Sequence, residues 1–150
     1  MRAVVQRVKH AKVEIGGRTH GEIRQGLLIL LGICPDDTPA DADWLARKVA
    51  ALRIFDDERG VMNRSLTDIG GQALVVSQFT LMASYRKGNR PSYIGAAGHD
   101  IAVPLYELYV EKLRQLTGRD VPTGEFGADM QVTLLNDGPV TICMDSKNPE

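Results

Sequence analysis

The chain has 150 residues, of which 43% are hydrophobic and 25% charged, with a formal net charge of −1. That is the size of one domain, 1–150, with enough apolar content for a sizeable core. No apolar run approaches the ~20 residues that span a bilayer, and the near-neutral charge speaks against coating nucleic acid by bulk attraction. Met1 through Arg7 alternates and is polar, unlike a signal peptide. Cys34 and Cys143 lie in apolar runs. That fits buried free thiols in a reducing compartment, the cytoplasm, better than a disulfide framework.

Along the chain, residues 2–8 and 12–15 alternate as strands, with Gly16-Gly17 as a turn and 18–23 as a short strand. Residues 27–33 are apolar on both faces and predict a fully buried central strand. Thr38 offers an N-cap, Pro39 suits the first helical position and Asp41 meets the positive end of the dipole. That helix runs to about 52, burying Leu45, Val49 and Leu52. A short strand at 53–55, turns and loops to 71, and a strand over 72–81 follow. Period-two alternation puts Ser77, Phe79 and Leu81 on one face of that strand and Gln78 and Thr80 on the other.

Residues 85–98 form a long connection rich in Gly, Asn, Arg and Pro, the kind that is functional or disordered. A second helix is expected from near Ala102, with Pro104 in its first turn and Gly118 ending it. A strand at 121–126 and a hairpin of 130–135 with 140–144 complete the set. Turns join most of the strands. The fold class is therefore α+β, a mainly antiparallel, curled, barrel-like sheet with two principal helices packed on it.

Phosphate-loop, dinucleotide and nucleophile-elbow patterns are absent. His10, His20 and His99 show no metal-ligand spacing with the cysteines, so neither metal nor cofactor is expected. Two segments stand out. Ser77-Gln78-Phe79-Thr80-Leu81 ends an apolar strand just before the cationic Arg86-Lys87-Gly88-Asn89-Arg90. Either hydroxyl could be a nucleophile, but neither has a base beside it in sequence. Asn136-Asp137-Gly138-Pro139 places a proline where the return strand of a hairpin should begin, although proline cannot donate to the ladder. Locally this reads either as a plain turn with a proline stop or as an unusual backbone at a functional site.

Taken together, the opening Met1-Arg2-Ala3-Val4-Val5-Gln6-Arg7-Val8, Ser77-Gln78-Phe79-Thr80-Leu81, Lys87-Gly88-Asn89-Arg90-Pro91-Ser92, Phe126-Gly127-Ala128-Asp129-Met130 and Asn136-Asp137-Gly138-Pro139-Val140-Thr141 resemble the bacterial D-aminoacyl-tRNA deacylases over essentially the whole length. The resemblance implies a homodimeric tRNA-editing esterase. It would remove D-amino acids, and glycine, from the 3′-terminal adenosine of tRNA. Gly138 and Pro139, joined by a cis bond, would be the chiral selector inserted into the partner's site. Ser77, Gln78 and Phe79 would line that pocket, Phe126 and Met130 would form the adenosine wall, and Arg7 would prop the Gly-Pro loop. The family picture involves the 2′-hydroxyl of the terminal adenosine. Thr80 resembles a threonine once proposed as nucleophile, a role that picture discounts. Arg86, Lys87 and Arg90 would contact tRNA phosphates. Met82-Ala83-Ser84-Tyr85 and Gly98-His99-Asp100 depart from the common pattern. A related editing enzyme with a trans Gly-Pro and a noncatalytic nucleic-acid-binding module are the competing readings.

Overall fold

Strand β1 (Arg2–Ile15) is the axis of the sheet in the computed structural model, which describes residues 1–149. Along one edge its first half pairs antiparallel with β3 (Gly26–Gly32) and its second half with β2 (Arg18–Ile23). Strand β7 (Gln131–Asp145) runs antiparallel along the opposite edge for nearly the whole length of β1. Strand β6 (Gln72–Ser77) extends the sheet from β3 in parallel, giving the order β2-β1-β3-β6. The crossover between β3 and β6 carries helix α1 (Pro39–Ala51) and a small hairpin, β4 (Phe55–Asp56) with β5 (Met62–Arg64). Helix α2 (His99–Thr117) follows β6. The architecture is α+β, with a mixed, strongly curled half-barrel sheet and the two helices on it.

Two cores explain the curl. Leu27, Ile29 and Leu31 of β3 and Ala73 and Val75 of β6 face the helices, packing with Leu45, Val49, Leu105 and Tyr109. The alternate residues Leu28, Leu74 and Val76 face a second cluster with Val8, Ala11, Val13 and Ile23. Ala3 and Val5 belong to the first core and Val8 onward to the second. Strand β1 therefore changes sides and folds its far half over the sheet. Each buried face removes apolar surface from water at roughly 25 cal/mol per Å², and the two faces together account for the unbroken apolar run of β3.

Several expectations need correction. Residues 2–8 and 12–15 are one strand, because β7 backs both halves. The strand expected over 72–81 stops at Ser77, and Phe79–Met82 forms a 3-10 turn. Ser77, Phe79 and Leu81 thus do not share a strand face. Helix α2 begins at His99, three residues before Ala102, so Pro104 is interior. It lies on the exposed side, where the carbonyl it leaves unmatched at Asp100 can be hydrated. Residues 121–126 contribute only a bridge, Val75 to Thr123. The expected terminal hairpin does not exist: residues 131–145 are one strand. Cys143 is exposed, not buried, and Cys34 is half-buried; both are free.

The start of α1 forms as its sequence predicts. Asp41 Oδ2 accepts the Thr38 backbone N–H at 2.9 Å and Pro39 opens the helix. No described helix is long and apolar enough to cross a membrane.

One core group is out of balance. The Tyr109 hydroxyl is fully buried and has no hydrogen-bond partner among the described residues. An unsatisfied buried hydroxyl costs about 1–3 kcal/mol. Tyr109→Phe is therefore expected to leave the Tm unchanged or raise it, as read by thermal unfolding; a clear fall would mean that the hydroxyl has a partner.

Candidate active site

Strand β6 ends beside β3, and the chain turns there into the 3-10 turn. The Gln78 backbone N–H donates to Leu31 O at 2.7 Å, continuing the parallel ladder by one step. Leu81 N–H then closes the turn on Gln78 O at 3.2 Å. Gly32 makes the close approach possible: a Cβ there would lie 3.0 Å from Gln78 O and from Leu81 Cβ. Phe79 and Thr80, at the start of the turn, keep N–H groups without a backbone partner among the described residues. The Gln78 side-chain amide donates to Thr80 Oγ1 at 2.5 Å.

A pocket of about 490 Å³ opens above this turn. Ser77, Gln78 and Phe79 form one side of it, and Phe126, Met130 and Val132 another. Ile33, Ala97 and His99 complete the rim, with the return of the long connection held down by Ala97 N–H on Ile33 O at 2.9 Å. Phe126 is fixed edge-to-face by His99 and Tyr106, with centroids 5.0 and 6.1 Å away. The lining is mainly apolar with a few convergent polar groups, the usual character of a small-ligand site. The nearby Cys34 thiol is pushed up in pKa, by burial first and then by Asp37. Cys34, Asp36 and Asp37 are the one metal-sized cluster among the described residues, and the Asp37 carboxylate is already engaged by the Met1 ammonium and by Cys34 N–H.

The second motif lies in the middle of β7. Gln6 faces Thr141 and Val8 faces Asn136, so four residues, Asp137 to Val140, stand opposite Arg7 alone. Gly138-Pro139 is therefore an excursion from a continuous strand, with the chain leaving and rejoining the same ladder. The Gly138-Pro139 peptide is cis, as the resemblance implies, and both residues are exposed. Gly138 has φ +133°, and a Cβ there would meet Val140 N at 2.9 Å and Arg7 Nη2 at 3.2 Å. Buried Arg7 reaches into the excursion. Its Nε donates to Asp137 O at 3.0 Å, and its Nη1 donates to Ile54 O at 2.7 Å and lies 3.3 Å from Asp56 Oδ1. Asn136 closes the neck, donating through Nδ2 to Arg7 O at 2.9 Å and to Val140 O at 3.1 Å.

Of the residues singled out in the sequence, Ser77, Gln78, Phe79, Phe126 and Met130 meet at the pocket. Gly138 and Pro139 form the excursion that Arg7 braces, and it does not line the pocket of its own chain. Thr80 sits behind Gln78, and Arg86, Lys87 and Arg90 occupy the exposed connection. Sequence reasoning missed His99, which it weighed only for metal-ligand spacing, and the clamping contacts of Asn136. The Gly98 N-cap before His99 and the position of Asn136 at the mouth of an awkward Gly-Pro were the available signals.

The family model described as D-Tyr-tRNA(Tyr) deacylase matches residues 4–145, and the chain belongs to that family. It is 59% identical, over all of both chains, to the D-aminoacyl-tRNA deacylase of Phocaeicola vulgatus and equally to that of Chromobacterium violaceum. The solved structure of a c-Myc DNA Unwinding Element Binding Protein superposes with a TM-score of 0.91 at 41% identity, covering 97% of this chain and 98% of that one. A probable eukaryotic D-amino acid tRNA deacylase, 16% identical over 95% of this chain and 97% of its own, shares the fold with a TM-score of 0.82.

Removing the Asn136 amide leaves the carbonyls of Arg7 and Val140 without their donor. Asn136→Ala is expected to lower stability by about 1–3 kcal/mol, measured as a reduced urea midpoint with unchanged slope.

Proposed function

We propose that this chain is a D-aminoacyl-tRNA deacylase, a hydrolase that edits mischarged tRNA, and that its pocket receives the 3′-terminal aminoacyl-adenosine. The single observation that carries the reading is the pairing of this apolar pocket with the clamped, exposed Gly138-Pro139 excursion in a chain 59% identical to deacylases over its full length. Phe126 and Met130 supply a wall for the adenine. The ester is already activated, so the reaction needs positioning more than acid–base machinery. Water adds to the carbonyl carbon and the ribose 3′-oxygen leaves with a proton. The N–H groups of Phe79 and Thr80 are the donors for the developing oxyanion. The Gln78 N–H is unavailable for this because Leu31 O already accepts it. Thr80 acts through its position and not as nucleophile: its hydroxyl accepts from Gln78, and no general base touches it among the described residues.

The chiral selector is Gly138-Pro139 of a second copy. Within one chain the excursion stays out of the pocket, and the outer edge of β7 is unpaired among the described strands, with Val132 and Leu135 exposed beside it. Pairing two copies there would cover an edge that isolated chains rarely leave open. Backbone selects differently from a side-chain pocket. An L side chain would meet main chain that no rotamer change can move, while a D side chain points away and its identity goes unread. Glycine offers nothing to exclude and is cleaved as well.

D-tyrosyl-tRNA is expected to be hydrolysed and L-tyrosyl-tRNA spared; equal cleavage of both, or of neither, would overturn the reading. Sedimentation should give twice the 16.4 kDa chain mass. Gly138→Ala, crowded against Val140 and Arg7, is expected to erode the D/L ratio by about tenfold or more. Thr80→Ala should keep kcat within about threefold on D-tyrosyl-tRNA; abolished activity in a folded protein would restore the nucleophile. Replacing Arg86, Lys87 and Arg90 by Gln should reduce the salt slope of log KM for tRNA by about 2, at roughly 0.7–0.9 per phosphate contact.

A further inference from the structure

The long connection is not a structureless loop. Ser84 and Ser92 exchange both backbone hydrogen bonds at 2.8 Å, so residues 84–92 form a small hairpin arm. Gly88 takes φ +73° at its tip, with open space around it. Arg86, Lys87 and Arg90 are exposed on the arm, and none has a carboxylate partner among the described residues. A chain of net charge −1 thus concentrates free positive charge at one place.

Unpartnered aromatic surface sits at the base of that arm. Phe79 is 56% exposed and Tyr93 40%, and the two rings pack edge-to-face with centroids 5.1 Å apart and planes at 73°. Tyr85, immediately before the cations, is 78% exposed, and Ile94 is 91% exposed. Phe79 also lines the pocket, and Ala96 N–H donates to Tyr93 O at 2.9 Å in the turn that leads to the pocket rim. The aromatic pair is therefore the step between the pocket mouth and the cationic arm. Aromatic faces beside unpaired cations are what single-stranded nucleic acid binds, bases on the rings and phosphates on the charges.

We propose that Phe79 and Tyr93 form a stacking platform for the unpaired nucleotide preceding the terminal adenosine, with Tyr85 and the arm continuing the track along the single-stranded 3′ end. The assignment rests on the reading of the pocket as the terminal-adenosine site. It makes Tyr93 a positioning residue for the polynucleotide substrate, remote from the reacting ester. The charge beside the rings favours an RNA strand over a second copy of this chain as the occupant.

The test compares D-tyrosyl-tRNA with D-tyrosyl-adenosine, which lacks the preceding nucleotide. For Tyr93→Leu, kcat/KM on the tRNA should fall about tenfold or more, the loss of one base–aromatic stack. Activity on the adenosine ester should stay within about twofold, which also shows that the variant is folded. Tyr93→Phe should behave as the unaltered protein on both. An equal loss on both substrates, no loss on either, or a Tyr93→Leu protein that sediments at half the mass of the unaltered one would overturn the platform. Failure of the unaltered protein to cleave either substrate would overturn the pocket reading and the platform with it.

Discussion

The pairing of β1 with β7 around Arg7 is the constraint on which the remaining structure depends. One residue of β1 faces four of β7. The ladder resumes on both sides of that mismatch, so the surplus chain has nowhere to go but outward. Arg7 is buried beneath it, and its guanidinium binds the excursion through Asp137 O and the β4 region through Ile54 O. A planar fork with several fixed donors suits that double duty; a flexible ammonium does not. Asn136 supplies the complementary closure from the strand side. The excursion is thus held at both ends by groups that belong to the sheet.

The same strand determines where the pocket can be. Strand β1 changes sides between Val5 and Val8, and this change gives the sheet two buried faces. Because β3 and β6 lie between those faces, the end of β6 emerges at a rim and not in the middle of a core. Ser77 is the last strand residue, and the polypeptide there must satisfy its own hydrogen bonds while turning away. The 3-10 turn does so while leaving the Phe79 and Thr80 N–H groups without a backbone partner among the described residues. Gly32, on the neighbouring strand, removes the one side chain that would hold the turn off. Backbone geometry and apolar walls, with little titrating machinery, are what an activated ester requires.

The division of the site between two separated motifs has a physical logic. The pocket is built on β6, the 3-10 turn and the start of α2, whereas the excursion is built on β1 and β7. Each is anchored in hydrogen-bonded main chain. The proposed selector, being backbone, would also be indifferent to which side chain the substrate carries. The proposed platform on the aromatic and cationic arm would extend the same economy to the polynucleotide, since stacking and phosphate contact both ignore sequence.

Much was legible in the residues alone. The both-face apolar run of β3, the Thr38-Pro39-Asp41 start of α1 and the α+β class follow from local periodicity and capping, which depend on near neighbours only. The two motifs were visible as well, since Gly138-Pro139 conflicts with an ordinary hairpin and Ser77 to Leu81 puts polar groups at the end of an apolar strand. What tertiary structure decided was long-range. Whether 130–144 turns back on itself or continues along β1 depends on a partner more than a hundred residues away in the chain, and only the ladder with β1 selects the continuous strand. The end of β6 at Ser77 reflects the close approach over Gly32, and the role of His99 reflects the packing of Phe126 against it. Propensity specified the elements here, and the register of β7 on β1 specified where the Gly138-Pro139 backbone leaves the sheet.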